Sequence, residues 1–364
     1  MTFVSKNADN PKYKIDLSRV EKKYNSRTDC LLNILFCSSE LPADLYAHMN
    51  ISYDCFRQNI SRLLRRGLIQ RISADGAAGY QLSLKGKRLT RELNYMKYRE
   101  YIEAETDRHY SIKRRRRKRQ QSYLFALLDR AGIAYEIFLK PSFENAVHSD
   151  TVYYYEAIYF KRFIGYESTA FQGSKVLGFF VGRNHIIPIY KMNVVVSSLG
   201  KHEILVPEAL KRHFNVSVNT AVLLCDDVEG CLTQIIDGYN YYNEKINTAG
   251  YQHLFVLSTG DDFLFQFLDL YKDYSSTECE IIERYHIDTS EKDRWGKYRY
   301  ITGTGFIDDS PVWICPGNVN AVTLRSFILN AEQNNRQSFI FCKQRDYSVL
   351  KEITKHKPIK IIMI

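Results

Sequence analysis

The sequence predicts a mixed α+β and α/β chain in two domains: a small helical one closed by a hairpin, then a larger α/β domain with a mixed sheet. Three observations carry that expectation. Residues 27–67 hold three helical patterns, the second short and the third basic. Residues 68–86 read as two strands around a glycine-rich turn. From residue 176 onward, short apolar strands alternate with helical segments. At 364 residues and 45% hydrophobic content, the chain can build two cores.

The first helical pattern is RTDCLLNILFCSSE, residues 27–40, with Leu31, Leu32, Leu35 and Phe36 at helical spacing and Asp29 as its expected cap. In LPADLYAHMN, Pro42 suits a first helical position, so one short helix is expected. SYDCFRQNISRLLRRG, residues 52–67, has Cys55, Phe56, Ile60, Leu63 and Leu64 on one face. Asn50 or Ser52 suits its start and Gly67 its stop. The opposite face carries Tyr53, Arg57, Gln58, Ser61, Arg62 and Arg65. LIQRIS, ADGAAG and YQLSLKG follow as strand, turn and strand. A long polar helical pattern spans 85–108.

RLLRRGLIQRI…GYQLSLKGKRL resembles the winged helix-turn-helix of many bacterial regulators, over residues 27–92. The resemblance implies a duplex DNA partner. The residues agree with it: arginine reads guanine and glutamine reads adenine by bidentate bonds in the major groove. Tyr53, Arg57, Gln58, Ser61, Arg62 and Arg65 are the candidate contacts, with Arg71 reaching from the wing. A winged helix used for protein contacts is the competing reading.

Charge distribution supports DNA. Residues 1–122 hold 26 Lys and Arg against 13 Asp and Glu, a net of +13, within a whole-chain charge of +10. The basic excess is therefore confined to the front third. Its densest stretch is Lys113, Arg114, Arg115, Arg116, Arg117, Lys118 and Arg119. No Pro or Gly interrupts residues 87–131, and YLFALL follows directly. One helix over 112–131 is expected, basic in its first half and anchored in the second domain by its other half. A solvated cluster and a nuclear localisation signal compete with a phosphate-binding helix, and the last fits the charge asymmetry. The expected organisation is an extension at 1–26, the DNA-binding domain at 27–92, a helical basic connector at 93–122 and the α/β domain at 123–364.

In the rear domain, YEIFLKPSF and the aromatic-rich TVYYYEAIYFKRF precede a hairpin, VLGFFVGRNHIIPIYKMN at 176–193, turning near Gly182-Arg183-Asn184. AVLLCDD, HLFVLSTGDD, VWICPGN and SFIFCKQRD each lead into a helical segment, and IKIIMI closes the chain as a strand. Asp226, Asp227, Asp261 and Asp262 follow two of these strands, where open α/β sheets place sites. A metal-dependent DNA nuclease would use them to hold Mg²⁺, the one cofactor any reading invokes. Helix capping explains the same residues more simply. Residues 123–364 contain no E-x-K, D-x-K, G-x-G-x-x-G, Walker A or G-x-S-x-G pattern.

The order of winged helix, a helix ending in AGI, then SKVLGFFVGRNHIIPIYKMN resembles replication-relaxation proteins of bacterial plasmids and conjugative elements. Ser174, Lys175, Gly178, Pro188, Tyr190 and Asn193 carry it; Lys175 stands where Arg is usual, and Met192 separates Lys191 from Asn193. The resemblance implies a non-catalytic, mobile-element DNA-binding protein with a restriction-endonuclease-like rear fold, serving replication, transfer or their regulation. The rear domain is then a dimerisation, protein-partner or ligand module, and a ligand-sensing transcription regulator is a further alternative. The eight cysteines have no zinc-site spacing and no apolar leader opens the chain, so a cytoplasmic protein away from membranes is expected.

Overall fold

The computed structural model describes residues 26–49, 51–74, 77–89, 112–135, 140–157, 175–192, 201–238, 251–290 and 303–364. The N-terminal extension, Asn50, the hairpin turn Asp75-Gly76 and most of the 85–108 pattern lie outside them. Among the described residues, the fold is mixed α/β with three sheets. The chain divides into two compact units, with the boundary between Asp129 and Arg130.

The first unit runs α1 (Ser26–Ser38), β1 (Leu41–Pro42), a 3-10 turn (Leu45–His48), α2 (Tyr53–Arg65), β2 (Ile69–Ala74), β3 (Ala77–Leu82) and α3 (Ile112–Arg130). Helix α3 ends one residue into the second unit. Asp29 lies in the first turn of α1 rather than ahead of it. Ser52 caps α2, accepting from the Cys55 amide at 3.2 Å. Gly67, at φ 67°, ends it: its amide bonds Leu64, and the Leu68 amide reaches back to Leu63. Phe56, Ile60 and Leu63 bury one face of α2. Asn59 is buried among them, accepting from Thr28 of α1 at 2.6 Å and so satisfying a polar group in the core.

Pro42 does not start a helix. Leu41 and Pro42 form an edge strand paired antiparallel with Tyr80 and Gly79, giving sheet order β1-β3-β2. An edge position tolerates proline because no ladder amide is lost there. Strand β3 also begins earlier than the glycine-rich segment suggests, since Ala77 already pairs with Ala74.

The second unit has two mixed sheets, where one was expected. The first has order β4-β5-β6-β7-β8, from Tyr153–Glu156, Val176–Gly182, His185–Met192, Thr220–Cys225 and His253–Ser258. Strands β4 to β6 are antiparallel and β6 to β8 parallel. Arg183 and Asn184, both at positive φ, make the two-residue β5–β6 turn. The second sheet has order β12-β11-β10-β9, from Ile359–Met363, Ser338–Cys342, Ser310–Cys315 and Gly305–Ile307. Strands β10, β11 and β12 are parallel.

Helices of this unit are α4 (Phe143–Val147), α5 (Lys201–Phe214), α6 (Val228–Asp237), α7 (Phe263–Asp269), α8 (Ser275–Arg284), α9 (Ala321–Asn334) and α10 (Gln344–Ile353). Helices α6, α9 and α10 pack together, and their residues share one apolar core with both sheets. The Asn320 side chain caps α9 and also accepts from the Leu254 amide of β8, tying helix to sheet. A smaller core, with Ile281 of α8 against Val312, Ile314 and Phe341, covers the other face of the second sheet.

Candidate nucleic-acid interface

Helix α2 presents Tyr53, Arg57, Gln58, Arg62 and Arg65 to solvent, with Ser61 partly covered. Tyr53 is 55% exposed. Arg65 donates to the Ser61 carbonyl at 3.4 Å, within its own helix. Arg57, Gln58, Arg62 and Arg71 have no side-chain ion pair or hydrogen bond among the described residues. The apolar face and the Ser52 and Gly67 ends fix the helix, and its period then sends these side chains outward together. A rigid helix with an unpaired cationic face is the arrangement that major-groove binding needs.

The basic run is helical, as expected, but its side chains divide. Arg115 and Arg119 turn inward onto Glu40, whose side chain is 4% exposed. Arg115 donates to Glu40 from Nε at 3.0 Å and from its terminal nitrogen at 3.0 Å, and also to the Ala77 carbonyl at 2.9 Å. Arg119 donates to Glu40 at 3.1 Å and to the Ala78 carbonyl at 2.8 Å. Two arginines thus clamp one buried carboxylate and the opening of β3. Gly79 makes room: a Cβ there would stand 2.9 Å from the Glu40 carboxylate and 3.3 Å from Arg119. Arg115 and Arg119, expected at phosphates, are engaged inside the first unit, where a buried carboxylate requires a cationic partner.

The rest of α3 confirms which unit it serves. Ser122 bonds the Glu40 carbonyl, Tyr123 donates to Asp44 at 2.7 Å and packs its ring, tilted, against His48, and Cys30 bonds Asp129. Leu124 to Leu128 are all buried. Tyr123 is held protonated well above the usual range, by burial first and by Asp44 second. The second half of α3 therefore packs in the first unit, and the two compact units divide between Asp129 and Arg130. Of the run, Arg116 is exposed, while Arg117 and Lys118 are partly covered and engaged. The side chains of Lys113 and Arg114 lie outside the described residues.

The carboxylates of the nuclease alternative do not converge. Asp227 caps α6, accepting from the Gly230 amide at 2.9 Å. Asp226 accepts from Thr259 at 2.5 Å and lies 3.5 Å from Lys191. Asp261 pairs with Arg130 at 3.0 Å, and Asp262 precedes α7 without a capping bond. Among the described residues, no three His, Cys, Asp or Glu side chains group closely enough to hold a metal ion.

Glu40 is the functional neighbour that sequence reasoning missed. Its partners lie 75 and 79 residues later, so no local spacing marks it. Compared with protein families, curated proteins and solved structures, the chain matches none. Gly178, Pro188 and Tyr190 of the replication-relaxation resemblance sit in β5 and β6, while Ser174 and Asn193 lie outside the described residues. No described helix is long and apolar enough to cross a membrane.

Proposed function

We propose that the first unit is a winged helix that binds duplex DNA, with α2 in the major groove and the β2–β3 hairpin as its wing. One observation carries this reading: the exposed, unpaired Arg57, Gln58 and Arg62 on a helix whose other face is locked into the core. Arginine and glutamine bond base edges in pairs, so these residues set sequence preference. Arg71, exposed on β2, and Arg116, exposed on α3, add phosphate contacts. Whether the protein serves an origin, a transfer region or a promoter follows from where its sites fall in the source genome.

The test is selection of bound sequences from random duplexes with the full chain, followed by anisotropy titration. A recovered motif, bound more tightly than scrambled duplex and relaxed in Arg57→Ala, supports the reading. Equal binding to every duplex by the wild-type chain overturns sequence recognition. No binding at all, even at low salt, overturns the DNA assignment.

A further inference from the structure

The second sheet of the second unit opens onto a cavity of about 350 Å³. Its floor includes Pro316, just past β10, Lys343, just past β11, and Ile364, just past β12. These are the carboxyl ends of three adjacent parallel strands, where open α/β sheets hold their ligands. The opposite wall comes from α8 and the residues flanking it, among them Lys272, Tyr274, Thr277, Glu280, Arg284 and Tyr285. The volume sits at the small end of the roughly 300–1,000 Å³ range of ligand pockets.

The lining combines ring faces with positive charge. Tyr274 packs close to Gly317, where a Cβ would come within 3.0 Å of its ring. Lys343 Nζ lies 4.5 Å and Lys272 Nζ 5.2 Å from the centroid of that ring. The Arg284 guanidinium lies 5.5 Å from the Tyr285 ring. Lys343 is fixed by Asp269 at 2.8 Å and by the Tyr274 hydroxyl at 2.6 Å. Arg345 reaches the same Asp269 at 2.6 Å. The Asp269 carboxyl, despite burial that would raise it, is held below its ordinary range by Lys343, Tyr274 and Arg345. The floor is thus preorganised, while Lys272 and Arg284 stand exposed at the rim. Three cations and one carboxylate, Glu280, face this space. Asp269 already balances Lys343, so the positive charge left for an anion to meet is that of Lys272 and Arg284.

We propose that this cavity binds a small phosphorylated ligand with a planar ring, of mononucleotide class: the ring against Tyr274 and Tyr285, the phosphate between Lys272 and Arg284. Stacking on tyrosine and charge-assisted bonds to phosphate are the two interactions its lining offers. Thr277 and Glu280 supply hydroxyl and carboxylate partners for a sugar. The site belongs to the second unit alone and does not rest on the DNA reading.

The experiment is calorimetric titration of the full chain with AMP, GMP, CMP and UMP, and with adenosine, ribose 5-phosphate and inorganic phosphate as fragments. At least one mononucleotide should bind with a Kd of roughly 1–100 μM, and each fragment about ten-fold or more weaker. Lys272→Ala and Arg284→Ala, both at exposed positions, should each weaken that mononucleotide about ten-fold with an unchanged melting curve. Absence of binding by all four mononucleotides up to about 1 mM overturns the proposal. So does ribose 5-phosphate binding as tightly as the mononucleotide, or affinity unchanged in both variants.

Discussion

Helices α2 and α3 carry most of the described arginines of the first unit, and they use them in opposite ways. On α2, Arg57 and Arg62 face solvent while the core holds the other side of the helix. On α3, the denser run loses Arg115 and Arg119 to the interior, where they neutralise Glu40. The louder sequence signal is therefore the more structural one. A helix cannot expose every residue of a consecutive run, and the face set by the packed turns decides which charges remain outside. Arg115, Arg119, Ser122 and Tyr123 fall at i, i+4, i+7 and i+8, and all four contact the Glu40–Asp44 segment.

The most severe way to break this contrast is Glu40→Ala. It leaves Arg115 and Arg119, at 12% and 14% side-chain exposure, without their common carboxylate. Removing one partner of a buried pair costs about 3–5 kcal/mol. Urea unfolding of the full chain should show that loss in a transition reporting the first unit. A loss under about 1 kcal/mol would mean the clamp is no more than a surface pair.

A second buried carboxylate shows what an incomplete clamp does. Asp346 of α10 has Arg345 Nε at 3.3 Å, but Arg345 lies closer to Asp269, at 2.6 Å. Burial dominates, and the Asp346 carboxyl is pushed up to about 6 from 3.8 despite Arg345. The folded state therefore holds a proton that the unfolded state has released between about pH 4 and 6. The stabilisation this gives is full below about pH 4 and lost as pH rises through 6, by up to about 3 kcal/mol. Asp346→Asn should remove that decline from a stability–pH profile while leaving the rest of the curve in place. A wild-type profile without such a component, or one unchanged in the variant, contradicts the assignment.

The α2 side of the contrast is sharpened by Arg57→Ala. It should cost about 1–3 kcal/mol against the preferred duplex and much less against scrambled DNA. The melting curve should stay in place, since the side chain is exposed and unpaired. Arg115→Ala should do the reverse, lowering stability with little specific effect on affinity. If the two variants behave alike, the division of labour between the helices is wrong.

Much of this was legible in the chain. The apolar period of 52–67, with Ser52 before it and Gly67 after it, located α2 and its exposed face. Apolar strands leading into helical patterns located β7, β8, β10 and β11 with the helices that follow them, and Asp227 caps as its position suggests. The β1 strand was not legible, because a two-residue edge strand has no periodicity and Pro42 imitates a helix start. The destination of α3 was not legible either: YLFALL shows that the helix is buried, not against what. Nor did any motif mark the cavity, whose lining is drawn from residues 272–285, 316, 343 and 364. Contacts across long separations depend on topology, which local pattern does not encode.

The smallest expected effect is the most selective. Arg116 is the one residue of Lys113 to Arg119 described as exposed. If it meets a phosphate, Arg116→Ala should weaken binding to all duplexes alike. The slope of log K against log salt should fall in magnitude by about 0.9, the share of one neutralised phosphate. Neutralising Arg114 to Arg117 as a block would not answer the question, because Arg115 leaves the Glu40 clamp at the same time. The single substitution separates the two roles by helical phase: position 116 is turned about 100° from position 115 around the axis. A slope unchanged by Arg116→Ala would remove Arg116 from the phosphate contacts.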